Sequence, residues 1–326
     1  MKVLYLTDDR SEYGQGFYYM DWLRAFQQHH DVQVWGPGCE EPSPEAVHGA
    51  DLVIVGHGAI NVLYGSEPRY AFTPCRWWQV RRRLRRRRCG YWDIDLRHFK
   101  CPKVLLSKND YSPLEGKVTF ARNERIDLLI THSLQALPQF RAAGLDAEWI
   151  PFGVDTARFR HYGEPKDIDI GFRGNLHEKW TSGLRRRLME AVQRECSDLR
   201  LDIEGSTLGE NFLAGDTYAR WLSRCHLFLN TVSAIGTVGP KWWEAMACGC
   251  VTLGPVDEYE GLLTPDVHYL ALQPDLSDLR KKVDRFFQDE SFRRQLINGI
   301  SEMAKQADMT NRYRQLWDIF RQHGLV

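Results

Sequence analysis

Short runs of β-branched and aliphatic residues alternate with amphipathic stretches along this whole chain, and that alternation narrows the fold more than any other feature. The first half offers Lys2–Leu6, Asp31–Trp35, Asp51–Gly56, Lys103–Ser107, Asp127–His132 and Glu148–Phe152 as strands, with helical patterns such as Tyr18–His29 and Ser133–Ala143 between them. The second half repeats the rhythm with Ile168–Phe172, Leu201–Glu204, His226–Asn230, Val251–Gly254 and His268–Leu272. Strand–helix alternation of this kind predicts parallel sheets wrapped by helices. Ligands of such sheets bind beyond the carboxyl ends of the strands, so the residues just after each run matter most.

At 326 residues the chain is long enough for two such domains. The seam falls at Pro151–Phe159, backed by the polar stretch His161–Asp167, after which a second strand series begins at once. The expected fold is α/β, with two Rossmann-like domains over residues 1–152 and 153–309 facing each other across a cleft. Tyr313, Leu316, Trp317 and Phe320 recur at helical spacing, so residues 310–326 are expected to form a helix that packs back on the first domain.

The bulk numbers set bounds rather than a function. The chain is 43% hydrophobic and carries 43 basic and 43 acidic residues, a balanced globular composition. Eight cysteines show neither a C-x-x-C pair nor zinc-type spacing with histidine, which predicts reduced thiols, several of them in the core. The N-terminus turns acidic at Asp8 and Asp9, too early for a signal peptide, and no apolar run reaches the length of a membrane span. A cytoplasmic protein is expected, with a peripheral place at the inner membrane face as one option.

Four segments carry chemistry. Gly236–Cys250 reads as a glycine-bearing loop opening straight into a helix, with Pro240 at the first helical position and Gly249 at the stop. The amides at such a helix start favour a phosphate, which makes Gly236, Thr237, Gly239 and Lys241 candidate ligands of a nucleotide. Arg173 and Lys179 follow the first strand of the second half, and two cations just past a strand end suit a diphosphate. Gly14 and Gly16 stand between the first strand and a helix. Tyr19 replaces the third glycine of a dinucleotide fingerprint and no acidic residue ends the second strand, so a nicotinamide or flavin site is not expected. The two glycines read equally well as a tight turn beside a ligand or as a plain tight turn.

The fourth segment, Arg76–Arg88, is the least usual. Seven of the eight residues Arg81, Arg82, Arg83, Leu84, Arg85, Arg86, Arg87 and Arg88 are arginine, flanked by Trp77, Trp78, Tyr91 and Trp92. Such a run repels itself unless an anion compensates. Three readings stay open: a solvated loop, nucleic acid with arginines on phosphates and aromatics on bases, or an anionic membrane surface carrying a lipid-linked acceptor.

Taken together, Ile150–Asp155, Phe172-Arg173 with Lys179, and Lys241-Trp-Trp-Glu-Ala-Met-Ala-Cys-Gly249 resemble the GT-B glycosyltransferases with a glycosyl-transferase-group-1-like second domain, including the spore-maturation-protein-like branch. The resemblance implies a GT-B fold, a nucleotide-diphosphate sugar as co-substrate, and no metal or other cofactor. It implies that Glu244 holds the donor ribose and that Arg173 and Lys179 hold the diphosphate. Two departures are visible. Gly236 stands where the group carries the first of two glutamates, and the Arg173-to-Lys179 spacing is one residue longer than usual.

On the first-domain side, His57 and Asp110 each follow a strand run. A base for the acceptor hydroxyl suits Asp110 if the reaction inverts, and His57 resembles the cleft histidine of retaining members. A satisfied polar group at a strand end is the competing reading of both; Asp8 and Asp9 are weaker versions of the same idea, and His132 reads as structural. The acceptor is a hydroxylated base in DNA or a lipid-linked or cell-surface glycan, and the sequence names no protein partner. Two other classes remain: an epimerase-like sugar-nucleotide enzyme, and a catalytically weak nucleic-acid- or membrane-binding module on the same scaffold.

Overall fold

In the computed structural model the strand runs become two parallel sheets, each belonging to its own unit. The structure describes residues 1–7, 19–36, 43–56, 96–108, 110, 114–174, 183–205, 213–233 and 235–326. One unit comprises Met1–Pro151 together with Tyr313–Val326, and the other Phe152–Arg312.

The first unit runs β1 (Lys2–Leu6), α1 (Tyr19–His29), β2 (Asp31–Trp35), α2 (Pro44–His48), β3 (Leu52–Val55), β4 (Lys103–Leu106), α3 (Glu115–Glu124), β5 (Leu128–Thr131), α4 (Leu137–Ala142) and β6 (Ala147–Trp149). Among the described residues the sheet order is β2-β1-β3-β4-β5-β6, with every pairing parallel. Leu4 lies opposite both Gln33 and Val53, so β1 is an interior strand. Beyond it, β3, β4 and β5 are buried throughout and apolar except for Lys103 at the start of β4 and Thr131 at the end of β5, as suits strands of a parallel sheet covered on both faces. Leu4, Leu6, Val53, Val55, Leu105 and Leu129 form one core with Phe120 of α3 and Phe140 of α4.

The second unit continues with β7 (Ile168–Gly174), α5 (Leu184–Glu195), β8 (Leu201–Gly205), α6 (Gly215–Arg224), β9 (Cys225–Leu229), α7 (Pro240–Ala247), β10 (Val251–Pro255), β11 (Leu270–Leu272), α8 (Leu279–Gln288) and α9 (Glu290–Gln306). Its sheet order among the described residues is β11-β10-β9-β7-β8, again parallel. Both sheets therefore wind the same way, starting one strand in from an edge and reversing direction after the second strand.

The chain leaves and re-enters the second unit at neighbouring places. The Val154 amide donates to the Ala307 carbonyl at 3.0 Å, and the Met309 amide donates to the Val154 carbonyl at 3.0 Å. Gly153 permits this approach: a Cβ there would stand 2.6 Å from the Met309 sulfur. The last helix, α10 (Met309–Gln322), passes from one unit into the other at Arg312–Tyr313. Within the first unit its apolar face meets α1. The Phe26 ring lies 5.5 Å from Tyr313 and 6.4 Å from Phe320, His30 stacks on Trp317 at 4.5 Å, and the His30 imidazole hydrogen-bonds the Tyr313 hydroxyl. The tail thus packs on the first unit, as its helical spacing predicts.

Candidate functional site

A doubly wound sheet opens a crevice where the strand order reverses, because the connections on either side leave in opposite directions. In the second unit that place lies between β7, which continues to β8, and β9, which continues to β10 and β11. The strand ends there are Gly174 and Leu229. Three elements deliver side chains to it: the loop and first turns of α7, the start of α5, and the residues Asn230 and Thr231 after β9.

Helix α7 begins and stops where its sequence dictates. Gly236 takes φ 77°, a left-handed turn that a side chain would oppose, and Gly239 is an extended N-cap without a side-chain hydrogen bond. Pro240 occupies the first turn. At the other end Gly249 takes φ 68°, with its amide donating to Met246 at 3.0 Å and the Cys250 amide to Ala245 at 2.9 Å, a Schellman closure. Trp242 and Trp243 are fully buried, so the helix is anchored by its core face while Lys241 and Glu244 remain for the switch point.

The loop amides before the helix are drawn into hydrogen bonds. Gly236 donates to the Ser233 carbonyl at 3.0 Å, Thr237 to the Ser233 hydroxyl at 3.1 Å, and Val238 to a carboxylate oxygen of Glu260 at 2.9 Å. Each of these three amides has its partner inside the protein. The amides of Gly239 and Lys241 stand at the helix start, where no carbonyl four residues back exists within the helix.

Lys241 is half-buried and Glu244 buried, and the charge of each acts on the other. The Lys241 ammonium donates to the Arg173 carbonyl at the end of β7 and lies 5.2 Å from the centre of the Tyr218 ring. Burial lowers its pKa to about 8, with Glu244 drawing it back up and Arg185 pushing it further down. Burial raises the Glu244 carboxyl to about 7, against the pull of Lys241 and Arg158. Glu244 is 7% exposed. The site therefore holds a cation and a carboxylate that are each close to losing their charge at neutral pH.

Arg185 is the residue that reading along the chain missed. It opens α5, and its guanidinium lies 3.3 Å from the Thr231 hydroxyl and 3.4 Å from the Asn230 side-chain oxygen, just past the end of β9. Burial lowers its pKa to about 10. A signal existed: Arg185, Leu188 and Val192 share one helix face, and the latter two are fully buried, so this arginine belongs to the inward stripe.

Arg173 is placed differently from expectation. Its guanidinium bonds Asp202 at 2.6 Å, also reaches the Asp202 and Phe172 carbonyls at 3.2 and 3.0 Å, and lies 4.9 Å from the Trp221 ring centre. The charge is committed along the sheet toward β8 instead of being presented beyond the strand end. What Arg173 gives the switch point is its carbonyl, which holds Lys241.

In the first unit Asp110 is part of a closed network. Its carboxylate pairs with Lys117 and accepts hydrogen bonds from the Ser107 and Thr131 hydroxyls, each at 2.5 Å. Burial alone would raise its pKa, but Lys117 and the two hydroxyls overcome that and hold it below the ordinary carboxylate range. A carboxylate so occupied braces β4, α3 and β5, the satisfied polar group that is the competing reading of Asp110. His132 hydrogen-bonds the Ile150 carbonyl at 2.8 Å and stacks on Trp22, the structural role its place suggested.

Several candidates lie outside the described residues: Gly14, Gly16, His57, Lys179, Asp8, Asp9, Trp77, Trp78, and the run Arg81, Arg82, Arg83, Arg85, Arg86, Arg87 and Arg88. Among the described residues no group of three or more His, Cys, Asp or Glu side chains is placed to hold a metal ion. No described helix is long and apolar enough to cross a membrane.

Comparison with known proteins meets this geometry. Residues 185–318, which include Arg185, α7 and Glu260, match a family model described as glycosyl transferase-like. No curated protein matches the sequence. Among solved structures, the chain is similar to HepE from Anabaena, solved with UDP and glucose. Identity is 14%, the TM-score is 0.56, and 99% of this chain and 100% of that one are covered. It is similar also to the trehalose-6-phosphate synthase OtsA, with 10% identity over 99% of each chain and a TM-score of 0.62. A third is the sucrose-phosphate synthase of Thermosynechococcus elongatus, with 14% identity over 98% of each chain and a TM-score of 0.53. At these identities the likeness speaks for the fold, two parallel-sheet α/β domains of GT-B type. The fold is thus that of the GT-B glycosyltransferases, and the segment matching the glycosyl transferase-like family makes up most of the second unit.

Proposed function

We propose that the protein transfers a sugar from a nucleotide-diphosphate sugar to an acceptor hydroxyl, with the donor held at the switch point of the second sheet. The observation that carries this reading is the burial of Lys241 and Glu244 together at the start of α7, beside Arg185 and at the carboxyl ends of β7 and β9. A diphosphate meets a cation and a helix start there, and a carboxylate about one turn further along accepts sugar or ribose hydroxyls. In this reading Glu244 holds the ribose, while Lys241, the amides of Gly239 and Lys241, and Lys179 stabilise the leaving diphosphate. Arg173 acts through its carbonyl. On the reacting side His57 is the remaining candidate, since Asp110 is occupied by its own network.

Structural relatives solved with UDP and with UDP-glucose make those the first donors to test. A thermal-shift series with UDP, ADP, GDP and their sugars should stabilise the protein with one base, by about 2.7 kcal/mol at a hundredfold excess over Kd. No shift with any of them would sink the proposal. Isomerised donor without transfer would favour the epimerase-like class, and binding without turnover on any acceptor the non-catalytic one.

The arginine run supports an anionic acceptor, or an acceptor carried on an anionic surface. Duplex DNA containing hydroxymethylated bases and vesicles containing anionic lipid are the two arms of the test. Affinity for one of them should fall at least tenfold between about 50 and 200 mM salt if several arginines contact phosphates. Binding to neither at low salt returns the run to a solvated loop.

A further inference from the structure

Glu260 stands in a turn that the remainder of the donor loop does not explain. It follows β10, is 8% exposed, and adopts φ 54° and ψ 22°, a left-handed conformation that only glycine takes freely. The preceding residue Tyr259 is also left-handed at φ 44°, and Gly261 follows at φ 73°. Three successive positive φ values, two of them at residues with side chains, persist only where surrounding contacts over-determine them.

Those contacts lead to α7. The Tyr259 ring is fully buried 4.7 Å from Trp242 and 4.9 Å from Tyr269, and its hydroxyl donates to the Pro255 carbonyl at 2.6 Å. One residue on, the Glu260 carboxylate crosses to the loop before the helix and accepts the Val238 amide at 2.9 Å. The turn therefore grips both sides of the helix start: an aromatic contact behind it and a charge-assisted hydrogen bond in front. Val238 lies between the left-handed Gly236 and the N-cap Gly239, the two residues whose freedom most needs a restraint.

We infer that Glu260 is a positioning residue for the donor: through Val238 it fixes the Gly236–Gly239 loop, so that the amides and side chains at the start of α7 meet the donor diphosphate in one conformation. This rests on the reading of that helix start as the donor site. The strained turn is the cost of reaching the loop from β10, because a right-handed backbone at residue 260 would carry the carboxylate elsewhere.

Two substitutions separate positioning from bulk structure. Glu260→Gly removes the carboxylate and relieves the strained φ, so the midpoint of thermal unfolding should stay near or above the wild-type value. Its KM for the donor should nevertheless rise about tenfold with kcat at saturation within a factor of about three, the loss expected for a hydrogen bond to a charged group. Glu260→Gln keeps an accepting oxygen at the same reach and should restore KM to within about threefold of wild type. Amide exchange at Val238 should be fast in the glycine variant and slow in the glutamine variant, whether or not donor is present. A glycine variant with wild-type KM, or one whose Val238 amide stays protected, overturns the inference. So does a glutamine variant as impaired as the glycine one. Wild-type protein that binds no nucleoside-diphosphate sugar, with Val238 exchange responding as stated, overturns the donor reading and leaves the grip of Glu260 on the loop standing.

Discussion

Lys117→Met is expected to destabilise the first unit by about 3–5 kcal/mol, because it leaves the Asp110 carboxylate buried without its cation. At about 2–4 °C per kcal/mol for a unit of this size, calorimetry should show its transition falling by roughly 6–20 °C. Asp110→Asn should act in the same direction, since Lys117 is then the uncompensated charge. Donor turnover measured on the folded fraction should change little in either variant. The competing role makes the opposite claim: a general base at Asp110 would lose most of kcat in Asp110→Asn with stability intact, and that outcome would restore it. The pH dependence has a definite sign. Asp110 titrates lower folded than unfolded, so its contribution is present above the ordinary carboxylate range. It disappears as pH falls through the lowered folded value.

Glu244→Ala should reduce kcat/KM for the nucleotide sugar by tens-fold or more, about 2 kcal/mol of transition-state stabilisation, and saturating donor should recover only part of it. Two effects combine. The hydroxyl acceptor is gone, and Lys241 loses the carboxylate that supports its positive charge in a buried place. The pH profile distinguishes these. Donor binding needs Glu244 ionised and Lys241 protonated, so affinity should be best near neutral pH, falling on the acid side as the raised Glu244 carboxyl takes up a proton and on the alkaline side as the lowered Lys241 ammonium loses one. In Glu244→Gln the acid limb should vanish, and the alkaline limb should move to lower pH because the ammonium is no longer held up by its neighbour. A wild-type profile flat on both sides of neutral pH, or an unchanged alkaline limb in the glutamine variant, would remove Lys241 and Glu244 from the donor site.

The two sites differ in how much could be read along the chain. Helix α7 was legible because its signals are local: a glycine that turns, a proline at the first turn, a glycine that stops. Arg185 left a fainter mark, an arginine on the same helix face as Leu188 and Val192. Glu260 left none, since an acidic residue in a polar turn looks like any solvated loop until its backbone conformation is known. Asp110 was legible as a polar residue after a strand, but its partners Lys117 and Thr131 are 7 and 21 residues away. Only their convergence shows a closed network.

The sequence by itself determined the elements and the class of fold. Apolar strand runs, helix faces and cap residues act over a few positions, and a parallel sheet follows once strands buried on both faces alternate with helices. The packing of Tyr313 and Phe320 on α1 was readable for the same reason, since burial of a helix face needs only its spacing. Tertiary structure decided which charges meet which neighbours. Arg173 and Asp110 are neutralised by neighbours from adjacent elements, while Lys241, Glu244 and Arg185 are brought together from α7 and α5 at one switch point. Charge compensation and desolvation depend on distance in space, and no spacing along the chain encodes them.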